Sequence, residues 1–233
     1  MLSTSLERIG TSISEAAVVL DIGGWGRPLA RADWVMDLMP YETRGLYGQE
    51  DPAPERFSDS TWIRRDICDR EPYPFADGEI DFVVCSHTLE DVRDPIWVCS
   101  EMNRIAKAGY IEVPSRLEEQ SFGIQGPWVG WGHHRWLIEV LDHRRIEFVL
   151  KHHVMHGRPS DHFPPGFSSL LAPKERVLTL WWEGSFDFGE RVLMGADELD
   201  PYLAEFVAQH RGPKPRRQRR GLLRRLTAAS GPG

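Results

Sequence analysis

No stretch of the 233-residue chain approaches the ~18–20 uninterrupted apolar residues that a helical membrane span needs, so an integral helical membrane protein is excluded. The opening residues, MLSTSLERIG, lack the apolar core and small-residue cleavage pattern of a secretory leader, and none is expected. Cysteine is scarce: Cys68, Cys85 and Cys99 form no CxxC pair and no even set, which excludes a disulfide framework. Two of them sit in strongly apolar runs and read as small buried hydrophobes in a reducing, cytoplasmic setting. No internal repeat is present, which excludes a solenoid. Positive charge is short where a nucleic-acid binder would need it. Eight of the 28 basic residues lie from Arg211 onward with no acidic residue among them, leaving 20 basic against 35 acidic residues, a net charge of −15, for the preceding 210. An acidic body does not neutralise phosphate, so no nucleic-acid partner is expected.

What the chain has is the make-up of an ordinary globular domain, 41% hydrophobic and 27% charged. Short strand-like runs alternate with helix-like ones. Val18–Gly23, Trp34–Leu38, Trp62–Ile67, Ile80–His87 and Gly109–Val113 read as strands, the first and fourth built on continuous apolar runs, as in a parallel sheet buried on both faces. Pro95–Ala106 reads as a helix, with Val98, Met102 and Ile105 on one face and Asp94-Pro95 as its opening. After Pro114 a Gly/Pro/Trp-rich loop over about 121–132 precedes a helix expected at His134–Leu141. Two late strands, Arg145–His153 and Arg176–Glu183, are expected to pair antiparallel at the sheet edge. Asp197–His210 reads as a helix. The fold class is therefore α/β, a Rossmann-like and mostly parallel sheet with helices on both faces and an antiparallel hairpin at its C-terminal edge.

In such sheets ligands bind beyond the carboxyl ends of the strands. The first strand runs into LDIGGWG, with Asp21, Gly23, Gly24 and Gly26, where glycines let the backbone approach a ligand closely. The second ends at Asp37, a carboxylate able to accept from both hydroxyls of a ribose. The third ends at Asp66, suited to an exocyclic amine of adenine, with Ile67 beside it to pack on the ring. The fourth ends in CSHTLE, from Cys85 to Glu90.

At these residues the sequence resembles the class I S-adenosylmethionine-dependent methyltransferases that act on small molecules. VLDIGGWG is similar to the first motif of that family, and PFADGEIDFV with DFVVCSHTLEDVRDP resembles its fourth. The resemblance covers residues 18–114 and implies S-adenosyl-L-methionine as cofactor. It assigns Asp21, Gly23 and Gly24 to the methionine portion, Asp37 to the ribose, Asp66 to the adenine, and Ser86 and His87 to the neighbourhood of the sulfonium and substrate. It further implies a methyltransferase domain over 1–210, with its substrate-facing part at about 115–175, followed by a basic tail, 211–233.

The chain departs from the family in two places. The segment Arg27-Pro28 cuts short the helix that ordinarily follows the glycine loop, and Leu89-Glu90-Asp91 stands where Leu-Glu-His is usual, a change placed outside the contact shell. The sharp readings have plainer rivals. An isolated Asp most often caps a loop. His87 is either a substrate contact or a hydrogen-bonded core histidine. In WVGWGHHRW, Trp128–Trp136, His133 or His134 reads as a general base under a lid, or the tryptophans simply pack on the sheet. His87 and His133 are the catalytic candidates. No metal is expected: His152 and His153 should point to opposite faces of a strand, away from a shared ion with His156. Glu118 and Glu119 read as a solvated surface. The tail RRQRRGLLRRL reads as a solvated end, the alternative being contact with an anionic membrane surface. The expected activity is methyl transfer to a small polar metabolite, sugar or natural product, of bacterial origin by family habit. Its rivals are a nicotinamide-dependent oxidoreductase and a non-catalytic scaffold that kept the fold.

Overall fold

A computed structural model describes residues 1–48 and 53–211. The basic tail from residue 212 lies outside the described residues, so neither reading of it is tested.

Four short aliphatic runs line up in parallel: Val19–Ile22 (β1), Trp34–Asp37 (β2), Trp62–Arg64 (β3) and Phe82–Ser86 (β4), joined by Ala108–Pro114 (β5). Their side chains alternate between two apolar layers. Leu20, Ile22, Met36, Val83, Cys85 and Ile111 face one layer, Val19, Val35, Phe82, Val84 and Tyr110 the other. Helix α2, Pro95–Ile105, covers the first layer with Val98, Cys99, Met102 and Ile105, all fully buried. An N-terminal helix, Ser3–Ser12 (α1), which the sequence reading had not marked, seals the second with Ile9. All three cysteines are free and buried. No helix among the described residues is long and apolar enough to cross a membrane.

The sheet order is β3-β2-β1-β4-β5-β8, where β8 is Val177–Glu183, antiparallel to β5. The antiparallel edge is therefore present, but the two late runs do not pair with each other. Arg145–Leu150 (β7) leaves the main sheet and forms a second one, with Trp136–Leu141 (β6) antiparallel and Asp187–Glu190 (β9) parallel to it. The helix expected at His134–Leu141 is thus strand β6. Its apolar residues follow period 2: Trp136 and Ile138 join the main core while Leu137 packs with Val149 and with Leu203 of helix Ala196–His210 (α5). A stretch buried on both faces shows no polar alternation, so helix and strand read alike in the sequence. Two one-turn helices, Arg116–Glu119 (α3) and Pro173–Arg176 (α4), flank the second sheet's connections.

Helix α2 starts where Asp94 accepts a hydrogen bond from Trp97 N at 3.0 Å, with Pro95 in the first turn. Replacing Asp94 by Ala should cost about 0.5–2 kcal/mol of stability, measured by urea denaturation; an unchanged midpoint would show the cap to be dispensable.

Candidate functional site

Strand order reverses between β1 and β4, and parallel strands bring their carboxyl ends to the same side, so a crevice opens there. Every residue singled out from the sequence, Asp21, Gly23, Gly24, Asp37, Asp66, Ile67, Ser86, His87 and His133, lines one cavity of about 890 Å³.

The glycine loop is held by close contacts. Gly23 has φ +77°, and a Cβ there would fall 2.1 Å from Thr88 Oγ1; one on Gly24 would fall 2.3 Å from Asp21 Oδ2. As expected, no helix follows. Instead Leu29 N donates to Asp21 Oδ2 at 2.8 Å, and the chain folds back, Gly45 N donating to Trp25 O at 2.8 Å. Asp37 ties this loop to the end of β2: Oδ2 accepts from Trp25 N at 3.0 Å and Oδ1 from Met39 N at 2.8 Å. Burial pushes Asp21 up to about 7, against the Leu29 N–H and with the nearby Asp37 charge adding to the rise. Burial also raises Asp37, outweighing its backbone donors.

Asp66 accepts from Cys68 N at 2.9 Å and pairs with Arg93, an exposed guanidinium that also donates to Cys68 O at 2.6 Å. Burial opposes its ionisation, but Arg93 and the Cys68 N–H outweigh it and hold the carboxyl below its ordinary range. Ile67 is buried beside it.

At the exit of β4, His87 adopts φ +53°. Its Nε2 lies 3.1 Å from Glu112 Oε1 and its Nδ1 3.5 Å from Glu90 Oε1, both carboxylates 1% exposed. Desolvation disfavours the imidazolium, yet the two carboxylates outweigh it and raise His87 to about 9. Glu112 falls to about 2, because His87, Leu2 N and the Tyr110 hydroxyl overcome its burial. At neutral pH His87 is therefore a cation that offers a proton, which is the reverse of a base's ground state.

Across the cavity stand Trp131, His133 and His134. His133 is 55% exposed. His134 is buried and stacks on Trp131, ring centroids 6.0 Å apart. Its Nδ1 lies 2.6 Å from Glu119 Oε1, and Lys151 Nζ donates to Glu119 Oε2 at 2.6 Å. Glu118 and Glu119 are accordingly buried and not the solvated surface expected; the short helix α3 turns both inward against His134, Lys151 and Ser168. Asp91, placed outside the contact shell from the sequence, lines the cavity, because the turn after β4 points back over the strand ends. His152 and His153 do not point to opposite faces either: β7 ends at Leu150, and their rings stack 4.6 Å apart at the start of a 3-10 turn. Arg93, Glu112, Thr88 and the exposed Leu38 had drawn no attention in the sequence. Only the position of Leu38, directly after Asp37, could have flagged it.

The two shifted groups favour the folded state in their protonated forms. The contribution of Asp21 is complete below its ordinary 3.8 and is lost as pH rises through about 7. That of His87 is complete below 6.5 and is lost as pH rises through about 9. Asp21→Asn should remove the first decline, as much as roughly 4 kcal/mol, and His87→Gln the second, both followed by urea denaturation across pH. A variant whose profile parallels the parent's would refute the shift assigned to that residue.

Residues 46–111 match a family described as a methyltransferase domain. No curated protein matches the chain. Among solved structures, the complex between the Haloferax volcanii Trm112 methyltransferase activator and the putative methyltransferase matches at 20% identity, over 48% of this chain and 51% of that one, with a TM-score of 0.36. A putative methyltransferase from Bacillus halodurans matches at 17% identity over 48% and 50%, also at 0.36. An S-adenosylmethionine-dependent methyltransferase from Mesorhizobium loti matches at 13% identity over 65% and 64%, again at 0.36. The chain spans about half the length of the first two. The match to that family of methyltransferase domains thus runs through β3, β4 and most of β5, on a mostly parallel sheet whose β1 closes in the glycine loop.

Proposed function

We propose that this chain transfers a methyl group from S-adenosylmethionine to a small, polar, ring-bearing acceptor. The observation that carries the reading is the convergence of Asp21, Gly24, Asp37 and Asp66 on one cavity at the point where strand order reverses. The residues fit the cofactor: Gly24 leaves space over Asp21 that any Cβ would fill, and Leu38 and Ile67 offer apolar surface beside Asp37 and Asp66. When bound, the cofactor supplies an activated methyl group on a sulfonium.

Asp37 would accept from the ribose hydroxyls with the lone pairs its two backbone donors leave over. Asp21 and the backbone of Gly23 and Gly24 would receive the methionine portion. Asp66, already paired with Arg93, would accept from the adenine amine. Ser86 and the His87 cation, braced by Glu112 and Glu90, would orient polar groups near the reacting centre. His133, exposed on the opposite wall, is the side chain to hold a proton lost by the acceptor. Orientation and exclusion of water account for most of the work required of the protein. We assign this role to residues 1–210, with the acceptor meeting the segment at 115–175. A dinucleotide is disfavoured because no helix opens after Gly26 to receive a pyrophosphate.

Calorimetric titration with S-adenosylmethionine and S-adenosylhomocysteine, with NADH as control, tests the reading. Micromolar binding of the first two alone is expected. Asp37→Ala should weaken it by about 1–3 kcal/mol, the cost of losing a charge-assisted hydrogen bond. Binding of neither sulfur compound would overturn the proposal in favour of a scaffold, and binding of NADH alone in favour of an oxidoreductase.

A further inference from the structure

Among the described residues, one cluster brings three metal-ligating side chains together: Asp91, His133 and His134, whose ligand atoms lie within 4.8 Å of one another. Asp91 Oδ1 is 3.9 Å from His133 Nε2 and 3.8 Å from His134 Nε2. The two imidazoles meet edge to face, centroids 4.6 Å apart and planes at 83°, because they lie in a turn and not in a strand. We propose that these three residues form a binding site for a divalent first-row transition ion on the wall of the cavity.

Several independent features support a site. Asp91 Oδ1 is buried and has no hydrogen-bond partner among the described residues. A buried carboxylate oxygen left unpaired between two ring nitrogens is costly unless a cation occupies the gap. His134 is oriented from behind: its Nδ1 is held by Glu119, which is held in turn by Lys151, so Nε2 is presented toward Asp91. A carboxylate behind the distal nitrogen is the usual way a histidine ligand is fixed and made more basic. Trp131 braces the same ring.

Metal–ligand bonds of about 2.0–2.2 Å at tetrahedral angles would place the ligand atoms about 3.3–3.5 Å apart. The two Asp91 spacings need to close by about half an ångström and the spacing between the histidine nitrogens by at most about 1.5 Å, and the exposed His133 can supply that movement. Two imidazoles and one carboxylate leave coordination positions open. All three residues line the cavity described above, so those positions are available to a small ligand carrying a hydroxyl or carboxylate oxygen. That this ligand is the methyl acceptor rests on the function proposed above; the metal site itself does not.

The test is titration of the metal-free full chain with Co²⁺, read by its visible ligand-field bands, followed by displacement with Zn²⁺. One equivalent should bind without any sulfur cofactor. His133→Ala and Asp91→Ala should each weaken binding at least about tenfold, since loss of even an outer partner costs that much. The double variant of His152 and His153 to Ala should bind as the parent does. Absence of binding, or binding unchanged in His133→Ala and Asp91→Ala, would overturn the proposal. Because His133 is exposed, its variant should keep the parent's thermal midpoint, which separates loss of a ligand from loss of the fold. Failure of cofactor binding in the parent would count against the proposed function alone.

Discussion

The architecture of the site depends on a carboxylate almost wholly withdrawn from solvent at the floor of the cavity. Asp21 lies under Gly24 with its charge opposed by burial, and its main compensation is the N–H of Leu29. In the usual arrangement of such folds a helix follows the glycine loop. Here Pro28 prevents it, and Asp21 together with Asp37 takes over the tethering: one binds the chain leaving the loop, the other the chain at its crest and the end of β2. Removing Asp21 would free the chain that leaves the loop, and removing Asp37 would free the crest of the loop together with the end of β2.

This double use has an electrostatic consequence. Asp21 and Asp37 are both raised in pKa by burial, Asp21 further by the charge of Asp37, so both resist ionising, while His87, at the end of β4, is held as a cation by Glu112 and Glu90. The cavity therefore has reluctant acids along β1 and β2 and a stabilised cation at β4. A ligand with a positive group toward the first and a negative or polar group toward the second would complete the balance of charge.

Much of this was legible in the sequence because it is local. The five parallel strands, helix α2 with its Asp94 cap, and the residues at the strand ends follow from short apolar runs and their terminal carboxylates, which no distant contact alters. The rest was hidden for a physical reason. Strand β6 carries apolar residues on both faces, so its period cannot be read; α1 has little apolar content beyond Ile9; and Glu119 looks solvated until Lys151 and His134, far along the chain, arrive to neutralise it. Asp91 likewise acquires meaning only from the turn that brings His133 and His134 across the cavity. Side chains whose partners come from a second sheet are beyond what spacing alone reveals.

That second sheet also constrains the cavity wall that faces the glycine loop. Trp136, Ile138, Ile146 and Phe148 belong to the same apolar layer as Met102 and Ile105, and Trp136 Nε1 donates to Val92 O at 2.8 Å, beside the turn after β4. The wall bearing Trp131, His133 and His134 thus packs on the same apolar core as the half that carries the glycine loop. Exchanging the second sheet for another would strip the shared core of Trp136, Ile138, Ile146 and Phe148, so change on this wall is cheapest in single side chains of its loops.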